Sequence, residues 1–176
     1  HLRFAMDPKF GGKGGSNLWM CVIREYLAAK GLGLHNDLQT EHSIVANNPF
    51  AKMFDDFGTE AQREEFIAGT MNGTRRVTFG LTEPYHGSDA THMETRGVPE
   101  VRNGVPGYVL NGEKMWTTGM HVATHCALFA RTSGDDGAAK GITCFLVPCD
   151  DEGVKVKEYL WTFNMPTDHP RVSFTN

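Results

Sequence analysis

The stretch RRVTFGLTEPYHGSD, Arg75–Asp89, marks the point where the hydrophobic pattern of the chain changes. Before it, apolar residues recur at helical spacing, and from Val77 onward they alternate with polar residues, which is typical of β-strands. We therefore expect a helical domain over residues 1–73 and a β domain over residues 74–176. Because several short strands follow at even spacing, the predicted fold class is α+β, with an antiparallel β-barrel or sandwich as its second part.

The helical half begins with a well-marked helix. In SNLWMCVIREYLAAK, Ser16 or Asn17 can cap the start of the helix by accepting a hydrogen bond from the first turn, and Gly31 can end the helix. A second, longer helix is predicted over residues 36–58 from its apolar spacing. Pro49 lies inside it and is expected to bend or split it, because proline removes a hydrogen bond of the helix.

A capping-box pattern starts the third predicted helix. In GTEAQREEFIAGTMNG, the Thr59 side chain can bond the backbone of Gln62, whose side chain can bond back to Thr59. The residues that follow keep helical spacing as far as Gly69–Gly73. The helix is therefore predicted to end at these glycines.

Alternating segments after residue 74 predict the strands of the β half. They cover residues 75–82, 108–118, 124–132, 141–148, 153–160 and 171–175. Within the second segment, Asn111-Gly112 is a strong hairpin signal, because both residues tolerate the positive φ of a type I′ turn. This segment is predicted to form two strands joined by that turn.

The composition limits the possible functions. Hydrophobic residues make up 40% of the chain and charged residues 22%, as in an ordinary globular protein, and the scattered basic residues and net charge of -4 argue against a nucleic-acid partner. No apolar run reaches the roughly 20 residues that span a bilayer. The chain has no start methionine or signal-peptide pattern and stops within a predicted strand. We expect an internal part of a longer intracellular protein.

Cysteine and histidine could indicate redox or metal chemistry. The cysteines form no CxxC pair, so we expect reduced, buried thiols; they are Cys21, Cys126, Cys144 and Cys149. His121 and His125 have the i,i+4 spacing that could hold zinc, but no glutamate lies between them as in HExxH. No metal site is predicted.

Ser88 lies in HGSDA and is compatible with three roles. A nucleophile elbow needs GxSxG, and here the second glycine and an HGGG loop are both missing. A serine hydrolase therefore has little support. The residues alone leave open a turn serine that bonds its own backbone and a serine that contacts a ligand.

Two glycine-rich stretches fail as nucleotide motifs, whereas two strand ends remain candidates. GGKGGS lacks the order of a P-loop, and GLGLHN lacks the third glycine of a dinucleotide fingerprint. By contrast, Thr82, Gly87 and Ser88 follow a strand, and backbone amides at a glycine can approach a phosphate closely. Trp116 and the two threonines after it offer a flat apolar face and directional hydroxyls, which suit a planar cofactor that carries phosphates.

Two motifs, TEPYHGSD and YVLNGEKMWTT, resemble the strings TEPxxGSD and NGxKxWIT of the acyl-CoA dehydrogenase family. The resemblance extends from about Trp19 to Asn176 and follows the family order of a helical domain and a middle β domain. It implies an FAD-dependent enzyme that desaturates an acyl-CoA thioester and passes electrons to an electron-transfer flavoprotein. It also implies a homodimer or homotetramer at full length, in a mitochondrion, a peroxisome or the bacterial cytoplasm.

For the first motif, the resemblance implies that Phe79, Leu81 and Thr82 line the flavin. It places Gly87 and Ser88 beside the FAD pyrophosphate, with Ser88 also near the acyl-CoA. The two acids of the motif, Glu83 and Asp89, are expected to be structural; these hold the strand exit and cap the following turn.

For the second motif, the resemblance implies that Trp116 covers one face of the flavin and that Thr118 bonds near N5, the hydride acceptor. Thr117 stands where isoleucine is usual and adds a hydroxyl beside the cofactor. The end of the chain, with Asp168 and His169 between prolines, departs from the family pattern KxGxRGS. Substrate range or electron acceptor could therefore differ.

The same resemblance places the catalytic base, a glutamate, in a C-terminal helical domain that this sequence does not contain. No carboxylate of the chain is therefore predicted to be catalytic, and these residues alone are expected to bind FAD weakly or not at all. Three alternatives stay open. They are an oxidase of the same fold, acting on acyl-CoA or a nitroalkane, a non-catalytic flavin-binding module, and a branched, aromatic or non-CoA substrate.

Overall fold

The computed structural model describes residue 4 and residues 6–31, 49–162 and 165–175. The chain divides into two compact units, His1–Arg75 and Arg76–Asn176. The first unit contains only helices among its described residues, and the second contains a seven-stranded sheet. The predicted α+β class is confirmed, with a correction to the strand directions given below.

The first unit opens with a short 3-10 helix, Pro8–Phe10, and helix α1, Asn17–Ala29. Ser16 caps α1 as predicted, because its Oγ accepts a hydrogen bond from the Trp19 backbone at 3.3 Å. Gly31 follows the helix with φ of +75°, a left-handed conformation that glycine adopts without steric cost.

Helix α2 is Pro49–Phe57, which begins at the proline expected to bend a longer helix. A first helical position suits proline, since its missing N–H has no partner there in any case. Residues 36–48 of the predicted helix lie outside the described residues. Phe50 and Phe54 of α2 are buried, and Phe54 stacks on Phe66 with ring centroids 4.8 Å apart.

The capping box is present and starts a continuous helical segment. Thr59 accepts from the Gln62 backbone at 3.3 Å, and the Gln62 side chain accepts from the Thr59 backbone at 3.0 Å. The segment ends at Gly73, which is left-handed with φ of +83°. It differs from a regular helix in its middle turn, which is π-helical; its parts are α3 (Glu60–Gln62), the π turn (Arg63–Ile67) and α4 (Ala68–Asn72).

The described residues of the second unit form seven strands. They are β1 (Val77–Gly80), β2 (Arg96–Arg102), β3 (Val105–Lys114), β4 (His125–Arg131), β5 (Ile142–Pro148), β6 (Val154–Thr162) and β7 (Met165–Phe174). The order is β1-β4-β2-β3-β7-β6, with β5 on β4. Most neighbours are antiparallel, as predicted, but β4 runs parallel to both β1 and β2. The sheet is therefore mixed.

The hairpin predicted at Asn111-Gly112 is wrong. Strand β3 runs unbroken through both residues, and the turn lies at Asn103-Gly104 between β2 and β3. Asn103 has φ of +52° and Gly104 has φ of +79°, the positive values that a type I′ turn requires. Both Asn-Gly pairs satisfy the local rule, and pairing of the flanking strands decides between them.

Strand β2 was not expected from the sequence. It contains Pro99, which cannot donate a ladder hydrogen bond and is confined to sheet edges. The structure accommodates it because β2 meets β4 only at Arg96 and pairs along the rest of its length with β3 alone. Pro99 therefore lies where one edge of β2 is open.

The core of the second unit lies between β4, β7 and the 3-10 helix Met120–Val122. Its buried members are Met120, Cys126, Leu128, Val172 and Phe174. Because β4 and β7 carry four of these residues, the two strands are fixed relative to each other. Strands β1 and β3, which pair with β4 and β7, end at the candidate site.

Gly112 lies on β3 opposite Phe174 of β7 and close to the buried Thr95. A Cβ at position 112 would stand 2.6 Å from the Thr95 Cβ and 2.7 Å from its Cα, and closer still to its hydroxyl. These distances are too short for any side chain without movement of the backbone. Position 112 therefore needs glycine for space.

We expect Gly112→Ala to lower the free energy of unfolding by about 1–3 kcal/mol, the usual cost of overpacking. The matched control is Gly107→Ala on the same strand, because a Cβ at Gly107 meets no atom within 4 Å. Denaturant unfolding of both variants provides the measurement. Equal losses in the two variants would contradict the packing described here.

Candidate functional site

The exits of β1 and β3 lie side by side. The Met115 backbone N–H donates to the Thr82 carbonyl at 2.8 Å, and the Thr78 hydroxyl donates to the Thr118 carbonyl at 2.7 Å. These two bonds bring together the residues after β1 and the residues after β3. The two sequence motifs thus form one surface.

A buried ion pair joins the two exits. Lys114 Nζ, at the end of β3, donates to Glu83 Oε1 at 2.8 Å and to the Leu81 carbonyl at 3.1 Å. The Lys114 side chain is 0% exposed and that of Glu83 is 3% exposed. The Glu83 carboxylate also accepts from the backbone of Thr95 at 2.9 Å and of Glu94 at 2.6 Å. Glu83 thus has the structural role expected for it.

Both members of the pair have displaced pKa values. Burial raises the pKa of Glu83, but the hydrogen bonds from Lys114, Thr95 and Glu94 outweigh it and hold this pKa below its ordinary range. Burial lowers the pKa of Lys114, and the bond and charge of Glu83 only partly oppose this. A pKa below 4.5 keeps the Glu83 carboxylate charged at neutral pH.

The loop after Glu83 is braced by its own polar side chains. Asp89 Oδ1 accepts from the Thr91 backbone at 3.1 Å, as expected for a turn cap, and Asp89 Oδ2 lies 2.8 Å from His92 Nδ1. The Thr91 hydroxyl and His92 lower the pKa of Asp89 to about 2. Arg131 Nη2 also donates to the Thr91 carbonyl, at 2.5 Å. The loop is therefore held at both ends.

Gly87 and Ser88 lie at the exposed crest of this loop. A Cβ at Gly87 would meet no atom within 4 Å, so the backbone there is open to close approach. Within the described part of the chain, no histidine bonds to Ser88 Oγ. No hydrogen bond among the described residues joins Gly87 or Ser88 to the residues after β3.

The residues after β3 form a strained turn. Trp116 has φ of +62°, an uncommon value for a bulky residue, and its side chain stays 41% exposed. The Thr118 N–H bonds the Trp116 carbonyl at 2.9 Å. Thr117 between them is 0% exposed, and its hydroxyl has no hydrogen-bond partner among the described residues. We call residues 116–118 the tryptophan turn.

Strand β7 holds the tryptophan turn in place. The Thr117 N–H donates to the Pro170 carbonyl at 3.2 Å, and the Gly119 N–H donates to the Asp168 carbonyl at 3.1 Å. The Thr118 hydroxyl lies 2.8 Å from His169 Nδ1. The segment that departs from the family pattern thus contacts the predicted cofactor residues.

The other predicted residues lie around these exits. Phe79 is 44% exposed and packs on Phe129 with ring centroids 5.0 Å apart, while Leu81 and Thr82 are half-buried. The surface has exposed aromatic rings, a hydroxyl at each strand exit and an open backbone at Gly87. Together, these features suit a planar cofactor that carries phosphates. The buried Thr117 can act on such a group only through the turn. The individual contacts remain predictions.

The cysteine and histidine expectations have mixed outcomes. Cys126 is buried and Cys149 half-buried, and burial raises the pKa of both thiols, that of Cys149 to about 11. The expectation of buried thiols is wrong for Cys21 and Cys144, because both residues are exposed to solvent. His121 packs edge-on against Tyr159, its ring centroid 6.5 Å away.

The described residues contain neither a cluster of metal ligands nor a helix that could span a membrane. Within that part of the chain, no three His, Cys, Asp or Glu side chains cluster as metal ligands would. None of the described helices combines the length and the apolar character that crossing a bilayer requires.

The sequence reasoning missed Lys114 and His169 as site residues. Lys114 is the buried last residue of β3, within a segment that the sequence predicts to be strand, and a charge in such a segment indicates a buried partner. That signal was available in the sequence. The contact between His169 and Thr118 was not, because 51 residues separate them.

The chain is similar to known proteins along most of its length. The family described as "Acyl-CoA dehydrogenase, middle domain" matches residues 78–176. The mitochondrial isobutyryl-CoA dehydrogenase of Dictyostelium discoideum is 32% identical over 160 residues, 89% of this chain and 36% of that protein. The crystal structure of a probable acyl CoA dehydrogenase from Mycobacterium abscessus has a TM-score of 0.77 and 25% identity, covering 99% of this chain and 44% of that one.

A second similar structure is a complex with a flavin. It is a glutaryl-CoA dehydrogenase from Mycobacterium smegmatis in complex with FADH2, with a TM-score of 0.59 and 29% identity, covering 72% of this chain and 31% of that chain. The protein belongs to the acyl-CoA dehydrogenase family, and both strand exits lie within the matched middle domain. The chain spans little more than a third of the length of the curated relative.

We expect Lys114→Met to lower the free energy of unfolding by about 3–5 kcal/mol, because it leaves the Glu83 carboxylate buried without a cation. The control is the double variant Glu83→Gln/Lys114→Met, which removes both charges and should recover most of the loss. Urea unfolding measures all three proteins. A Lys114→Met variant as stable as the wild type would rule out this role for the pair.

The pair also predicts a pH dependence. Since the folded-state pKa of Glu83 is depressed, its contribution is complete above the ordinary value of 4.5 and is lost as the pH falls through the lower folded-state value. The deficit of Lys114→Met should therefore shrink on acidification. A deficit that is constant from pH 7 to pH 3 would contradict this.

Proposed function

We propose that the protein supplies the flavin-binding middle domain of an FAD-dependent acyl-CoA dehydrogenase, which desaturates an acyl-CoA thioester between its α and β carbons. The proposal rests chiefly on the buried ion pair between Lys114 and Glu83. This pair holds the TEPYHGSD loop next to the tryptophan turn, so that the two form one open surface. Family membership adds the class of reaction. We assign the helical domain to residues 1–73 and the middle domain to residues 74–176.

The residues of the two exits have complementary roles in this proposal. Phe79 and Trp116 offer exposed rings for the planar part of FAD, and Leu81 and Thr82 line its edge. The backbone at Gly87 and Ser88 is open to the pyrophosphate. FAD, when bound, supplies the hydride acceptor for the β-hydrogen.

Thr117 and Thr118 complete the proposed cofactor site. Thr118 would hold the hydride-accepting edge of the flavin through its hydroxyl, and Thr117 fixes the turn that carries Thr118 through its backbone bond to Pro170. Ser88 contributes its hydroxyl to the acyl-CoA as well, because it lies at the exposed crest beside the proposed pyrophosphate position.

Proton abstraction from the α-carbon requires a base. Glu83 is held in the ion pair, and Asp89 caps a turn, so neither carboxylate is available for that role. We propose that the base is a glutamate supplied by a region equivalent to the part of the relatives that this chain does not match. An electron-transfer flavoprotein accepts the electrons, and the full-length protein is a homodimer or homotetramer.

The proposal is tested by the visible spectrum of the full-length protein, recorded without oxygen while acyl-CoA thioesters of different chain length and branching are added. We expect flavin absorption bands that bleach with one class of thioester. Reoxidation by electron-transfer flavoprotein identifies a dehydrogenase, and rapid reoxidation by oxygen identifies an oxidase. Preparations without flavin bands after incubation with FAD would refute the proposal.

We expect Trp116→Asn to weaken FAD binding by at least about fivefold, the equivalent of roughly 1 kcal/mol of aromatic contact. Asparagine tolerates positive φ, so the turn is retained. The matched control is Trp161→Asn, which removes an exposed tryptophan from β6 and should leave the affinity unchanged. Fluorescence titration with FAD measures both, and equal losses would exclude a specific role for Trp116.

A further inference from the structure

The side chain of His169 makes two polar contacts through one ring nitrogen. Its Nδ1 lies 2.8 Å from Thr118 Oγ1 and 3.4 Å from Asp168 Oδ1. The His169 ring is about one-third exposed and the Asp168 carboxylate one-quarter exposed. The three side chains therefore form a short chain of polar groups at the edge of the tryptophan turn.

The Asp168 carboxylate favours one position for the proton on the His169 imidazole. An ionised carboxylate only accepts hydrogen bonds, so it favours the tautomer with a proton on the facing nitrogen. Nδ1 is then a donor, and the nearer acceptor is the Thr118 hydroxyl oxygen. In this arrangement His169 donates to Thr118.

The direction of the bond between His169 and Thr118 determines whether the Thr118 hydroxyl can donate a hydrogen bond elsewhere. Once its oxygen accepts from His169, the hydroxyl hydrogen must find another acceptor. The Trp116 carbonyl lies 3.4 Å away, which is long for an O–H···O bond. The hydroxyl is thus available as a donor to a group placed beside the turn.

We propose that His169 is a positioning residue that holds the Thr118 hydroxyl as a hydrogen-bond donor toward the flavin. The proposal rests on the proposed function, because it takes the acceptor to be the hydride-accepting nitrogen of oxidised FAD. Asp168 supports it by keeping the proton on His169 Nδ1. The segment that departs from the family pattern thereby acts on the cofactor.

The first test needs no cofactor. Nitrogen-15 NMR of the imidazole side chains in the protein without FAD should show His169 protonated at Nδ1, and Asp168→Asn should shift the population toward the Nε2-protonated form. His169→Ala identifies the signals by their loss. An unprotonated Nδ1 in the neutral ring of the wild type would overturn the proposal.

The second test uses the full-length protein and FAD. Thr118→Val and His169→Ala should each weaken FAD binding about fivefold, the equivalent of one hydrogen bond, and the double variant should lose no more than either. His169→Asn keeps an amide donor near the Nδ1 position and should stay within about twofold of wild type. Shifts of the bound-flavin absorption maximum should follow the same pattern.

The outcomes separate the two proposals. If His169→Ala weakens binding equally with and without Thr118→Val, histidine acts on the fold alone and the positioning role is overturned. If His169→Asn behaves like His169→Ala, donation to Thr118 is overturned. If the wild type binds no FAD, the proposed function fails, and the role toward flavin fails with it, whatever the NMR result.

Discussion

The buried ion pair between Lys114 and Glu83 is the constraint on which the rest of the second unit depends. Removing two charges from water is costly, and the pair persists because Glu83 also accepts two backbone N–H groups and Lys114 donates to a carbonyl. Neither strand exit can move away without leaving a charge buried and unpaired. The two motifs of the site, which are about thirty residues apart in sequence, therefore behave as one rigid element.

Rigidity matters most at the tryptophan turn, where the backbone adopts a conformation that Trp116 disfavours. Such backbone strain persists only where many surrounding contacts hold the residue in that conformation. Here the restraints come from three strands: β1 through Thr78, β3 through its own end, and β7 through the carbonyls of Asp168 and Pro170. A flat side chain is thus presented to solvent from a fixed backbone, which favours binding because little freedom remains to be lost.

Local signals predicted local structure well. Ser16 and the Thr59–Gln62 box mark helix starts because a cap needs only residues within one turn. The misplaced hairpin shows the limit of such signals, since Asn103-Gly104 and Asn111-Gly112 satisfy the same dihedral rule and only strand pairing distinguishes them. Similarly, the motif residues were recognisable as a group from sequence. The contacts of His169, and the hydrogen bonds from the tryptophan turn to the carbonyls of β7, depend on strand pairing across the sheet. No local sequence pattern predicts that pairing.

The parallel pairing of β1 with β4 has a consequence for the order of folding. Val77 faces His125, so this pair closes a loop of about 48 residues, whereas β2 and β3 meet through a two-residue turn. Contacts between distant residues carry a larger loop-closure entropy and form more slowly than local ones. The hairpin can therefore form early, while the surface formed by the exits of β1 and β3 is complete only when distant contacts have closed. We therefore expect the site to be complete only after the hairpin has formed.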